Sequence, residues 1–475
     1  MPNLLFLALH GEGVKILSVE RICPDIYHPA IARDGFLTRL RIPGGVLSSE
    51  QCLAIADLLE STGLDYVQVT NRANLQLRGL NQDLDQSLLP RLIAVGLVSA
   101  NPAIDGIRNI MASPTAGIDR AELIDVLPLV AAWEQYLSEH PELGVLSNKF
   151  SVGFDGGGSV SILDRPNDLT LFAVSESEFL LHLPLGRRLQ VGVDECISML
   201  GRIAQAYLRG GEGSRVRLRD VMEGVEGDLR CSGVYLTQRG TEGTRRGTEE
   251  AVCGHLGVWE QKGEKLSCVG VVLALGRWGL DQVRGLGAIA CQYGSGTIRL
   301  TPWQNAIVSD IRHEDVDQVR ELIERLGLRV SANHPSGLLM ACAGARGCQF
   351  SATETQEDAL TISAYLESRV ELDQPLNIHL SGCDKSCAQH YPADIALWGC
   401  EKTDEQGNGY RLCIGGSQEP FGRELLGYVT PGDARMAIGY LIDNYHKQRA
   451  SPSESFRTFT NRQSLDQLQQ VLHVI

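Results

Sequence analysis

Four cysteines in the last third of the chain stand in two short motifs whose spacing suits redox chemistry. Cys342 and Cys348 lie in CAGARGC, a C-x5-C pair, and Cys383 and Cys387 lie in SGCDKSC, a C-x3-C pair. Four thiolates converging from two loops can hold one [4Fe–4S] cluster, because each iron of the cubane takes one soft sulfur ligand. The Gly and Ala between the thiols let backbone approach inorganic sulfide. Structural zinc is a poorer match, since its knuckles are usually of the C-x2-C type. Disulfides suit short secreted frameworks, whereas this chain has 475 residues and an odd total of 13 cysteines. The scattered cysteines, Cys52, Cys196, Cys231, Cys253, Cys268 and Cys291, read as small buried hydrophobes.

A second candidate site lies near the N-terminus. Tyr66 to Arg78 reads as one strand, and period two would put Arg72, Asn74, Gln76 and Arg78 on a single face. A row of polar groups can be a solvated sheet face. Forked cations mixed with amides also suit a flat ligand bearing several carboxylates.

The elements that would position these residues are duplicated. Phe36–Pro43 is a strand, and Ser48–Gly63 is a helix capped by Ser48 or Ser49 with Cys52, Ile55, Ala56 and Leu59 as its apolar stripe. Leu280–Tyr293 is a second helix, followed by a strand over Thr297–Val308. At a constant offset of 231, Gly45 falls on Gly276, Gln51 on Gln282, Gly63 on Gly294, Thr70 on Thr301 and Asn74 on Asn305. Two copies of one strand–helix–strand unit, paired about a pseudo-two-fold axis, would line a shared cavity with their polar faces. Later, a strand over Leu376–Leu380 leads into SGCDKSC, another covers Ala393–Trp398, and Pro431 opens a helix running to Tyr445. RGTEGTRRGTEE, 239–250, reads as a surface loop, and the tail from Ser451 as a polar linker with a short final helix.

Composition narrows the classes. A net charge of −15 argues against a nucleic-acid partner, and no apolar run approaches a membrane span, so no membrane partner is expected and the location is read as cytoplasmic. The N-terminal MPNLLFLALHGEG lacks a basic n-region and reads as a strand rather than a signal peptide. No G-x-G-x-x-G follows a strand, and DGGGS lacks the phosphate-binding Lys, so electrons are expected from a separate protein.

From about residue 36 to 447 the chain resembles the sirohaem-dependent nitrite and sulfite reductases and their relative, precorrin-3B synthase. The resemblance rests on TNRANLQLRG, RNIMASP, NKFSVGFDGGG, HLGVWEQK, GSGTIRLTPWQN, CAGARGC and SGCDKSC, in that order. It implies an α+β fold of three domains, with two pseudo-symmetric ferredoxin-like repeats around a tetrapyrrole cavity. The expected division is an extension over 1–35, repeat one over 36–100, a central tetrapyrrole-binding domain over 101–265 and repeat two over 266–330. The [4Fe–4S] domain follows over 331–450, then a tail over 451–475. The resemblance further implies that Cys342, Cys348, Cys383 and Cys387 hold the cluster, with Cys387 bridging to the haem iron where sirohaem is bound. An external donor such as ferredoxin or a reductase is implied too.

Which branch the chain resembles turns on a few residues. The reductases hold a small anion with Arg and Lys, here matched to Arg72, Arg108 and Lys149, the implied catalytic set. The next position of that pattern is Lys in sulfite reductases and Asn in nitrite reductases; here it is Ser151. A neutral hydroxyl weakens the grip on an oxyanion. Asn71, the DGGG following NKFSVGF, and CAG rather than CTG look like precorrin-3B synthase. That branch implies oxygen-dependent hydroxylation of precorrin-3A with γ-lactone formation, on the aerobic route to cobalamin. Arg72, Arg78, Arg108 and Lys149 would then clamp ring carboxylates, while Asn74, Gln76, Asn109, Gln304 and Asn305 complete the tetrapyrrole contacts. A mononuclear non-haem iron is associated with that branch; no 2-His-1-carboxylate set is readable, and His379 and His390 near the cluster loops are candidates for it. The alternative is a ferredoxin-dependent sirohaem reductase of nitrite or sulfite.

Overall fold

The computed structural model describes residues 23–472 apart from 82–84, 212–215, 232, 239–253, 332, 370–371, 375, 390–392, 402–406 and 416–420. The strand read at 1–13, the loop at 239–250, Cys253 and His390 lie outside the described residues.

Two small sheets form the duplicated unit. One runs β1 (Ala30–Ala32), β2 (Gly35–Leu40), β5 (Leu75–Leu80), β4 (Tyr66–Val69) and β14 (Arg277–Gly279) in spatial order. The other runs β12 (Gly257–Glu260), β13 (Leu266–Val271), β16 (Ala306–Arg312), β15 (Thr297–Leu300) and β3 (Val46–Ser48). Each repeat therefore completes the sheet of the other with one strand. Leu47 on β3 pairs with Ile298, and its counterpart Trp278 on β14 pairs with Val67. All four side chains are fully buried in one core shared by both repeats. Local chemistry is duplicated as well. Ser48 caps the helix Ser49–Thr62 in a capping box with Gln51, whose Nε2 donates to Val95 O at 2.9 Å. In the second copy Gln282 Oε1 accepts from Gly279 N, and its Nε2 donates to Leu326 O at 3.2 Å.

The long strands expected over Tyr66–Arg78 and Thr297–Val308 are hairpins instead. Thr70 N donates to Asn74 O at 2.8 Å and Thr301 N to Asn305 O at 2.9 Å, closing two equivalent turns. Ala73 and Gln304 occupy the left-handed region, with φ of 54° and 62°. Period two ends at Val69, so Arg72 sits in a turn and does not share a strand face with Gln76 and Arg78.

The duplication extends further than the sequence suggested. The central sheet places β6 (Ile110–Ala112), β7 (Val152–Asp155) and β8 (Leu169–Ala173) parallel, then β9 (Glu178–His182), β10 (Arg187–Gly192) and β11 (Thr237–Gln238) antiparallel. The third large region repeats this pattern. There β17 (Leu339–Ala341), β18 (Ile378–Ser381) and β19 (Ile395–Cys400) are parallel, and β20 (Gly409–Ile414) and β21 (Arg423–Val429) are antiparallel. A long helix follows each, Cys196–Gly210 and Pro431–Gln448. DGGGS thus leaves β7 where SGCDKSC leaves β18.

Both ends of the chain depart from expectation. β1, assigned to an extension, is an edge strand of the first sheet. The tail is no linker: helices Phe456–Asn461 and Leu465–Val471 bury Phe456, Phe459, Leu468 and Leu472 in the third core. Cys52, Cys196 and Cys268 are buried as expected, but Cys231 and Cys291 are exposed.

Candidate functional site

The two cysteine motifs leave the carboxyl ends of adjacent parallel strands, β17 and β18, which are in register from Leu339 opposite Ile378 to Ala341 opposite Leu380. Crevices at strand carboxyl ends are where open α/β sheets bind ligands. Cys342 N donates to Leu380 O at 3.1 Å, and Gly382 N donates to the Cys342 Sγ at 3.3 Å, so backbone from one loop solvates the thiol of the other. Gly344, at φ 69°, turns the chain between Cys342 and Cys348, and a Cβ at Gly382 would collide with Ser351 Oγ. All four thiols are free of disulfides. Although Cys387 keeps surface exposure, desolvation by the protein around it pushes its thiol up to about 11, reinforced by Cys342, Cys383 and Cys348, so the quartet shares one neighbourhood. Four mutually repelling thiolates need cations among them, and a cubane offers each sulfur its own iron. No three His, Cys, Asp or Glu among the described residues are placed to hold a single ion. Those residues therefore include no ready set for a mononuclear iron. His379 is fully buried, edge-on to Phe421 at 5.6 Å.

Buried and half-buried arginines of repeat one lie near the quartet. Arg39 on β2 is pushed down to about 10, first by burial and then by Arg41, and it feels the charges of Arg78 and Cys387. Burial also lowers Arg41 and Arg72. Arg39 and Arg72 are half-buried. Among the described residues, Arg39 Nε and both Arg41 Nε and Nη2 are buried with no hydrogen-bond partner. Buried orphaned guanidinium donors call for an anionic ligand. A polycarboxylate ring meets that need.

Arg39 and Arg41 escaped the sequence reading, yet the duplication marks Arg39. Across the first sheet, Arg39, Gln76, Gln68 and Arg277 stand in register as a polar row. Their counterparts 231 residues away are Gly270, Ile307, Arg299 and Val46, a mostly apolar row. The two copies thus differ on this face, polar in the first sheet and mostly apolar in the second.

Several expected ligands are committed elsewhere. Asn74 Oδ1 accepts from Ile42 N at 2.8 Å, and its counterpart Asn305 Oδ1 accepts from Leu273 N at 3.0 Å. Both are buried locks on the repeat turns. Asn74 Nδ2 also donates to Asn109 Oδ1 at 3.0 Å, joining repeat one to the central domain. Gln304 donates to Val69 O at 2.8 Å and Gln76 to Gln68 at 2.6 Å. Arg78 forks onto Asp34 and reaches Gly347 O. Arg108 is buried: its Nε donates to Glu134 at 2.7 Å, and Nη1 to Asp105 at 3.2 Å, with Gly96 O and Leu97 O completing its shell. In this structure the guanidinium of Arg108 is enclosed by protein partners.

Arg72 and Lys149 keep their candidacy. Arg72 donates to Pro166 O at 2.7 Å and to Asn167 Oδ1 at 3.1 Å from its turn, and Lys149 is exposed. Ser151 is fully buried, its N 3.1 Å and its Oγ 3.3 Å from Asp168 Oδ2. The other oxygen of Asp168 pairs with Arg217 at 2.9 Å. Position 151 therefore presents no cation. A separate cavity of about 520 Å³, lined by Asp65, Tyr66, Arg277 and Arg329 among others, contains none of the four cysteines.

With this geometry in hand, comparison with known proteins is direct. Residues 28–94 and 259–326 match the nitrite/sulfite reductase ferredoxin-like half domain, and 103–273 and 338–449 match the nitrite and sulphite reductase 4Fe-4S domain. A ferredoxin–nitrite reductase of Synechococcus elongatus is 32% identical over 425 residues, 80% of each chain. A ferredoxin sulfite reductase of Mycolicibacterium paratuberculosis is 28% identical over 91% of this chain and 83% of that one. The NirA protein of Mycobacterium tuberculosis shares the fold, with a TM-score of 0.75 at 23% identity over 91% of this chain and 84% of the other. The paired half-domains, the cysteine quartet and these matches agree, and the chain belongs to the nitrite and sulfite reductase family.

Proposed function

We propose that this oxidoreductase reduces a small oxyanion, nitrite or sulfite, at a sirohaem held beside a [4Fe–4S] cluster, with a ferredoxin-type protein as electron donor. The observation that carries the reading is the cysteine quartet at the ends of β17 and β18, close enough to Arg39 for Cys387 to act on its charge. Cys342, Cys348, Cys383 and Cys387 would hold the cluster, and Cys387 would also meet the haem iron. When bound, the cluster supplies single electrons and sirohaem a redox-active iron. Arg39, Arg41 and Arg72 would take ring carboxylates by charge-assisted hydrogen bonds. Lys149 would hold the anion by its charge. The relatives named as ferredoxin-dependent nitrite and sulfite reductases support the donor class.

One observation favours a second reading. Ser151 is sealed against Asp168 and offers no positive charge to an oxyanion. A precorrin-3B synthase, in which the tetrapyrrole is substrate and dioxygen the oxidant, would not need that charge. Anaerobic purification with iron, sulfide and extractable tetrapyrrole quantified separates the two. The first reading expects Soret and red bands from bound sirohaem and turnover of nitrite or sulfite. Cluster absorption alone, with precorrin-3A hydroxylated under air, would overturn it. Cys387→Ser should abolish cluster-dependent turnover in either case; full activity with full iron and sulfide would refute the cluster assignment.

A further inference from the structure

Arg78 sits on β5, and its guanidinium closes onto Asp34 and the backbone of the first cysteine loop. Nε and Nη2 donate to the two Asp34 oxygens at 3.0 and 3.1 Å, and Nη2 also donates to Gly347 O at 2.7 Å. Arg78 and Asp34 are mostly buried, at 17% and 22% side-chain exposure, so their geometry is held rather than sampled. Gly347 directly precedes Cys348. A Cβ there would lie 2.5 Å from Arg78 Nη2 and 3.0 Å from Asp34 Oδ2, so the fork packs closely against this backbone and a side chain there would displace it. The loop is otherwise pinned to its own domain, with Cys348 N donating to Gly344 O and Ala345 N to Thr353 O, both at 2.8 Å. The fork is thus a tie from this cysteine loop to repeat one, on the sheet that also carries Arg39.

We propose that Arg78, braced by Asp34, is a positioning residue that fixes the Cys342–Cys348 loop against repeat one and sets the potential of the cluster held there. The inference rests on the cluster reading given above. Cluster potentials respond to net charge and to hydrogen bonding around the ligands. The Arg78–Asp34 pair is close to neutral, so removing one partner leaves a net charge beside the cluster. The sign depends on which partner goes. Losing Arg78 strands the negative Asp34 and makes the cluster harder to reduce; losing the charge of Asp34 strands a cation and makes it easier.

The test uses the full-length protein, anaerobically reconstituted with iron and sulfide, and follows the cluster by redox titration with EPR detection. Arg78→Ala should lower the reduction equilibrium about tenfold, ~59 mV for a one-electron couple. Asp34→Asn should move it the opposite way. Arg78→Lys keeps the charge but not the two-pronged fork, so it should restore the potential while losing iron and sulfide faster in air. Potentials of Arg78→Ala and Asp34→Asn that both match wild type, or move together, overturn the inference. Wild-type protein that takes up no iron and sulfide overturns the cluster reading beneath it. Should Arg78→Ala fail to hold a cluster, the sign of the Asp34→Asn shift still decides.

Discussion

Replacing Arg108 by Met distinguishes a structural tie from an anion clamp. Asp105, which accepts from Arg108 at 3.2 Å, is only 1% exposed, and burial raises its pKa while Arg108 pulls it back. Removing the guanidinium strands that carboxylate and leaves the carbonyls of Gly96 and Leu97 without their donor. Breaking one partner out of a buried pair costs about 3–5 kcal/mol. For a region of this size that corresponds to a fall in Tm of roughly 6–20 °C. The deficit should depend on pH. In the variant the folded pKa of Asp105 rises further, while in the unfolded chain it stays near the usual value of about 3.9. Folding then favours the protonated acid, so stability falls as pH climbs from that value through the folded one and is regained as pH drops. Melting curves of wild type and Arg108→Met should lie far apart at pH 8 and approach each other at pH 5. A variant that melts like wild type at every pH yet loses anion binding would refute the reasoning and return Arg108 to the chamber.

The duplicated locks allow an internal control. Asn74→Ala and Asn305→Ala each strand a buried amide, Ile42 N–H or Leu273 N–H, at a cost of about 1–3 kcal/mol. Hydrogen exchange should quicken at the matching amide in each variant; an unchanged rate at either would deny the equivalence. Ser151→Lys should be captured by Asp168, which already accepts from Ser151, and leave nitrite affinity within about twofold. Ser151→Lys combined with Asp168→Asn should free the ammonium and tighten nitrite binding by about tenfold, the scale of one charge-assisted hydrogen bond. Tighter binding by the single variant would show that Asp168 does not hold the new cation.

Much was determined by the sequence alone. The cysteine spacings, the helix Leu280–Tyr293, the capping of Ser49–Thr62 and the offset of 231 residues all appear in the structure as read, because each depends on short-range chemistry. Spacing along a loop limits where thiols can meet, and a cap is decided within one turn. Side-chain direction was another matter. Period two carried Arg72 onto a strand face, but left-handed backbone at Ala73 made a hairpin there, and only pairing partners far along the chain reveal it. Arg78 and Arg108 read as ligands because cations near a site look alike in sequence. Tertiary packing supplied Asp34, Asp105 and Glu134, and a carboxylate within reach decides whether a guanidinium faces a chamber or closes an ion pair. The exchanged strands β3 and β14, and the second duplication of the large sheets, likewise exist only in three dimensions, since hydrogen-bonded neighbours across a sheet leave no fixed spacing in the chain.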